Sequence, residues 1–209
     1  MSRTRTLSAL SALVAFAAAC GGAATEDDMG EAQAMVMDVE APECYLARGT
    51  VEEAEARVSP LSRTEFTLSG APALLCYGAP SANGRQIMDS LFVYGSPERI
   101  GANEPTTLHL TAPAIVGDVA LEAGSYTIYA IGTADEWEIF INPNYQRWGV
   151  PISDEVRATE IGSFMATPMA TDGMVETMNY RWEPTDETMG NLIFEWENTA
   201  VAIHVMAGG

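Results

Sequence analysis

The chain predicts an all-β fold, an antiparallel sandwich of jelly-roll or immunoglobulin-like type, over residues 59–207. Two patterns carry the prediction. From Ser59 onward apolar and polar side chains alternate with period two, and clusters of turn-forming residues break the alternation at short intervals. Such alternation marks strands with one face on a core, as antiparallel sheets commonly have.

Phe66 and Leu68 alternate with Glu65 and Thr67, and Leu74 and Cys76 with Leu75 and Tyr77. Leu108 and Leu110 flank His109. Tyr126, Ile128 and Ala130 interleave with Thr127, Tyr129 and Ile131, and Trp137, Ile139 and Ile141 with Glu138, Phe140 and Asn142. Three further runs follow, around Met178-Tyr180-Trp182, Leu192-Phe194-Trp196 and Val201-Ile203-Val205. Ser69-Gly70, Ala123-Gly124, Asn142-Pro143-Asn144 and Pro184 to Gly190 supply turns. Thr171-Asp172-Gly173 between two apolar runs reads as a hairpin. One short helix is expected in the 85–95 connection, over Gln86 to Tyr94, amphipathic through Ile87, Leu91 and Tyr94. No internal repeat is evident.

Upstream of the sandwich the chain has a different character. Arg3 and Arg5 precede an apolar run from Leu7 to Ala19 that is too short to span a bilayer. This is the pattern of a signal peptide over residues 1–19. It ends Ala17-Ala18-Ala19-Cys20-Gly21, which resembles the lipobox of bacterial lipoproteins, with Ala17 where Leu is usual. The resemblance implies lipidation at Cys20; ordinary cleavage after Ala19 is the alternative. Either way the expectation is export, and lipidation would tether the protein to a cell-envelope membrane, facing the periplasm or the outside. Residues 20–43 then read as an acidic tether. Glu26, Asp27, Asp28, Glu31, Asp38, Glu40 and Glu43 stand there without a basic or aromatic residue, so little apolar surface is available to offset ordering. As a coil the tether reaches on the order of 25 Å. Residues 44–58 form an N-terminal extension in which Val51 to Arg57 fits either a helical turn or an edge strand.

All 10 basic residues are Arg, against 29 acidic ones, for a net charge of −19. Loss of Arg3 and Arg5 with the signal peptide leaves 8 against 29, or −21. A surface this acidic repels polyanions, which argues against nucleic-acid binding. Of the three cysteines, Cys44 and Cys76 remain as an even pair once Cys20 carries lipid, and an oxidising compartment favours a bridge between them. Two unpaired thiols are the other reading.

The densest polar stretch lies between Tyr77 and Thr107. Arg85 and Arg99 can clamp a carboxylate or sugar phosphate through paired N–H donors. Asn103, Glu104 and Thr106 can add hydrogen bonds, and Tyr77 or Trp148 can stack on a ring. The same residues can instead brace a long connection, Arg pairing with Glu104 or Asp89 and with loop carbonyls. Other chemistries have less behind them. His109 and His204 fall on the polar phase of their strands and read as surface residues. No nucleophile-elbow Gly-x-Ser-x-Gly and no glycine-rich phosphate loop is present. Met165, Met169, Met174 and Met178 surround the 172–173 turn and invite Cu(I), though Met fills cores readily. Glu136, Glu138, Glu195 and Glu197 invite a glycosidase reading but fit a solvated strand face. No resident metal or cofactor is expected.

The segment Tyr77-Gly-Ala-Pro80, Asn83-Gly84-Arg85-Gln-Ile87, Tyr94-Gly95, Arg99-Ile-Gly101-Ala102-Asn103-Glu104 and Thr106-Thr107 resembles the bacterial family called domain of unknown function 2911. The resemblance continues through Ala123-Gly124-Ser-Tyr126, Glu136-Trp137, Asn142 and Trp148-Gly149 to Leu192-Ile-Phe194-Glu195-Trp196-Glu197. Ala79 stands where the family usually has Arg, and Glu98 where it usually has Trp. If those positions line a common pocket, the resemblance implies a different ligand here, or none. The function expected is a non-enzymatic envelope module binding a small molecule or an envelope protein through the 77–107 surface. The alternative is a hydrolase using Arg85, Arg99 and Glu104, with Met/His copper binding behind it.

Overall fold

The computed structural model describes residues 42–209. Arg3, Arg5, Cys20 and the tether up to Ala41 lie outside them. Thirteen elements follow in order: α1 (Val51–Glu55), β1 (Leu61–Leu68), β2 (Ala71–Gly78), β3 (Pro97–Arg99), β4 (Ala102–Leu110), β5 (Ala114–Val116), β6 (Val119–Leu121), β7 (Gly124–Gly132), β8 (Trp137–Asn142), α2 (Asp154–Arg157), β9 (Gly162–Ala166), β10 (Met169–Pro184) and β11 (Met189–Ala207). They build two antiparallel sheets. One has the order β1-β2-β4-β7-β8-β9, with β3 also on β7; the other has the order β10-β11-β5-β6. The expected all-β sandwich is the architecture observed.

The core lies between the sheets. Leu75, Leu108, Ile128, Ile139 and Ile141 of the larger sheet meet Met178, Tyr180, Leu192, Phe194, Ile203 and Val205 of the smaller one. Phe92 stacks on Trp137 with centroids 4.4 Å apart, and Phe66 on Trp182 at the same distance. Ser69 and Gly70, with φ of 50° and 80°, turn β1 into β2 as a two-residue hairpin loop must.

The larger sheet is also covered on its outer face, and this overrides the simple alternation. Register places Cys76, Thr107, Thr127 and Asn142 in one row across β2, β4, β7 and β8. Residues 42–58 and 143–161 pack over that face. Cys44 and Cys76 form a disulfide with a Cα separation of 5.6 Å. Asn142 donates to the Val156 carbonyl at 2.7 Å and accepts from Asn144 N–H and Thr159 Oγ1. Tyr129 O–H donates to Glu160 at 2.5 Å, and burial together with that bond pushes its pKa up to about 12. β2, β4, β7 and β8 are consequently buried at most positions on both faces.

Three expectations are corrected. Residues 86–94 form a knot of turns. The Ile87 carbonyl accepts from the N–H groups of Ser90, Leu91 and Phe92, while Asp89 adopts φ 59° and breaks any helical continuation. Ile87, Met88 and Phe92 are buried together and Leu91 is exposed, a pattern no helical face would give. Thr171-Asp172-Gly173 does not make a hairpin. It bulges out of β10, because Ala170 pairs with Thr199 and Val175 with Glu197, leaving 171–174 opposite Asn198. His109 is 5% exposed; Tyr145 packs edge-on against it at 6.0 Å, so a polar phase here means a covered outer face. Val51–Glu55 resolves as a helix, closed by a capping box between Thr50 and Glu53.

Candidate functional site

β3 and β4 lie along the same edge of β7. Arg99 pairs with Tyr129, and Thr107 with Thr127. At its start β4 bulges: Ala102 pairs with Gly78 and Thr107 with Cys76, leaving residues 103–106 opposite Tyr77. The Asn103-Glu104-Pro105-Thr106 stretch is this bulge, and most of its polar groups are spent holding it. Asn103, at φ 64°, donates its amide to the Ser59 carbonyl at 2.8 Å, and its own carbonyl accepts from Gly149 N–H at 2.8 Å. Thr106 Oγ1 donates to the Ile100 carbonyl at 2.9 Å. A Cβ on Gly101 would run into that hydroxyl, and one on Gly149 into the Asn103 carbonyl. Only glycine lets the two segments approach this closely.

Glu104 is buried. It accepts from Arg57 Nη1 at 2.6 Å and from Ala47 N–H at 3.3 Å, tying the N-terminal extension to the bulge. Trp148 packs under the same extension, with the Arg48 guanidinium 4.9 Å and that of Arg57 5.9 Å from its ring centroid. Tyr77 is a core residue whose hydroxyl oxygen accepts from Tyr180 N–H at 3.1 Å, with the rings T-shaped at 4.8 Å. Six of the seven candidate residues thus have partners within the protein: Tyr77, Asn103, Glu104, Thr106 and Trp148 as described, and Arg85 through the Ser81 and Ala82 carbonyls.

Arg85 and Arg99 are placed differently. Both line one cleft of about 370 Å³, together with Val58, Ser59, Pro80, Leu91, Phe92, Glu98, Gly101, Ala102, Val150 and Trp196. Arg85 donates through Nε and Nη2 to the Ala82 and Ser81 carbonyls at 2.8 and 2.7 Å, which fixes its orientation and leaves Nη1 over. Arg99 is half-buried, and its guanidinium makes no hydrogen bond or ion pair among the described residues. Burial lowers its pKa and the adjacent Glu98 opposes that; burial raises the pKa of Glu98, opposed first by a hydrogen bond from the Val93 backbone and then by the Arg99 charge. Trp196 is 6% exposed, and its indole N–H is a buried donor without a partner among the described residues.

The cleft's floor depends on a residue that strand alternation marks only as solvent-facing. Glu197, at φ 56°, accepts from the N–H groups of Ile87 and Met88 at 3.3 and 3.1 Å. It pins the turn that delivers Leu91 and Phe92. Trp196 and Phe92 have the sequence signature of core residues, and no local signal marks them as cleft walls. Glu98 carries one: it is the position that departs from the resemblance, and it does line the cleft. Ala79 is buried, and its N–H donates to the Pro60 carbonyl.

Elsewhere, a shallower groove of about 530 Å³ runs past Phe66, Trp182, Pro72 and Pro184 with Glu65, Asp186 and Glu187 along it. Asp186 is occupied by Thr188 and Met189 donors. Met178 is fully buried in the core, while Met165, Met169 and Met174 are exposed, so the four do not share one environment.

A two-sheet sandwich with a cleft of mixed apolar and charged lining beside the β4 bulge defines the class. The chain belongs to the family described as protein of unknown function DUF2911, whose profile matches residues 59–205. No curated protein and no solved structure matches it.

Proposed function

We propose that this is an exported, envelope-tethered binding module that captures a small molecule in the cleft between the 80–102 connection and Trp196. The observation that carries the reading is Arg99. A half-buried guanidinium with no hydrogen bond or ion pair among the described residues, set only beside the Glu98 charge, is open to the acceptors of a ligand. The cleft's size suits a small ligand, and its walls divide evenly between polar and apolar surface, with Arg85, Glu98 and Arg99 as the charged groups. Glu104 is engaged by Arg57 and Ala47 outside the cleft lining, which leaves a hydrolase reading without its acid.

Signal cleavage and lipidation of Cys20 supply the tether in this reading, holding the domain off a membrane on its acidic linker. Mass spectrometry of the mature N-terminus tests that part: a diacylated Cys20 is expected, and an unmodified one removes the anchor. Binding is tested by a thermal-shift screen of the full-length chain against a panel of small metabolites. A ligand selective for the folded state raises the midpoint by linkage. The shift should disappear in an Arg99→Ala variant, and a ligand whose shift survives that change refutes the assignment of the cleft.

A further inference from the structure

We infer that the cleft selects a monocarboxylate with an apolar or aromatic body; this rests on the binding-module reading above and names its ligand class. The polar inventory decides the sign of the ligand. Arg99 offers a whole guanidinium and Arg85 its remaining Nη1. The indole of Trp196 lines the same cleft, but its N–H is buried with no acceptor among the described residues, so it reports on the filling of the cleft and adds no exposed donor. Donors therefore dominate, and the ligand must bring acceptors.

Charge then decides its valence. Two arginines and Glu98 line the cleft, a net of one positive charge within a chain of net charge −19. A monoanion neutralises that charge. A dianion such as a phosphate monoester would leave an excess negative charge beside Glu98, in surroundings where burial already raises that carboxyl's pKa. The planar guanidinium fork of Arg99 matches a carboxylate in two-point geometry.

The remaining walls describe the ligand's body. Val58, Pro80, Leu91, Phe92 and Val150 are apolar, and the volume of about 370 Å³ has room for about a dozen water-sized groups. A short-chain or single-ring acid fills such a space with its carboxylate on Arg99 and its body against Phe92 and Leu91.

The test uses the full-length chain with three isosteric probes, 3-phenylpropionate, its neutral amide and phenyl phosphate. Binding is followed through the Trp196 indole N–H resonance, assigned with Trp196→Phe. The acid should shift that resonance and bind about tenfold or more tighter than the amide. Phenyl phosphate should bind no tighter than the acid. Arg99→Met should abolish the preference for the acid, and Arg99→Lys should retain part of it. If acid and amide bind equally, or phosphate is preferred, the carboxylate inference falls while the cleft remains a binding site. If no probe moves the Trp196 resonance, the inference and the binding reading fall together. The comparison of probes on the unaltered chain decides between these even if an Arg99 variant fails to fold.

Discussion

Acidification should destabilise the domain through His109, by an amount that follows from where the ring sits. His109 lies on β4 between Leu74 and Ser125, under Tyr145. Its Nδ1 is 2.7 Å from Ser125 Oγ, and its Nε2 is buried with no partner among the described residues. A charged imidazolium there would carry an unsolvated N–H, so burial lowers the pKa from 6.5 to about 4. The unfolded chain therefore binds a proton that the folded chain refuses between those two values. Stability is highest above pH 6.5, falls as pH drops toward 4, and changes no further below that on account of this residue. Each tenfold change in proton affinity is worth about 1.4 kcal/mol, so the loss amounts to about 3 kcal/mol. Urea unfolding of the parent and of His109→Asn, run from pH 7.5 to pH 4, isolates the term. The carboxylates titrate in both proteins and cancel in the difference, which should change by about 3 kcal/mol across the window. Parallel stability curves would refute the reasoning, as would an imidazole resonance in the folded protein that titrates near 6.5.

Three further outcomes follow from the brace. Glu104→Ala should cost about 3–5 kcal/mol, because it strands Arg57 beside a buried site, and hydrogen exchange should rise over residues 44–57 while the sandwich strands stay protected. Replacing Cys44 and Cys76 by Ser should lower stability by about 3–4 kcal/mol through the closed loop it frees, measured as the shift in urea midpoint relative to the bridged protein. Gly101→Ala should destabilise by about 1–3 kcal/mol through contact with Thr106 Oγ1, and Thr106→Ala in the same chain should recover part of that loss; simple additivity of the two changes would mean they do not touch.

The strand plan was largely legible because period-two alternation is local. The runs at Phe66, Leu108, Ile128, Ile139, Met178, Phe194 and Ile203 all lie in strands and face the core. The family signature was equally legible as a pattern, from Arg85 through Thr107. Its division of labour was not. Asn103, Glu104 and Thr106 on one side and Arg99 on the other are polar residues in one stretch, and nothing local separates a side chain spent on Ser59 or Arg57 from one left facing a cleft. The expected helix over 86–94 failed for a similar reason. Its amphipathic spacing was real, but Glu197, remote in sequence, takes the Ile87 and Met88 N–H groups and stabilises a turn.

By itself, then, the order of residues determined an all-β antiparallel domain with an acidic, Arg-only charge balance, because side-chain periodicity and composition are properties of neighbouring residues. The tertiary structure decided which face of a strand counts as surface. Packing residues 42–58 and 143–161 over the larger sheet turned His109 from a polar-phase residue into a buried one. It also decided which of the signature's polar groups remain available. The bulge in β4 uses up Asn103, Glu104 and Thr106, while the cleft beside it brings Arg85, Arg99 and Trp196 together across more than a hundred residues of chain. Burial and pairing depend on what arrives from elsewhere, and no local pattern records that.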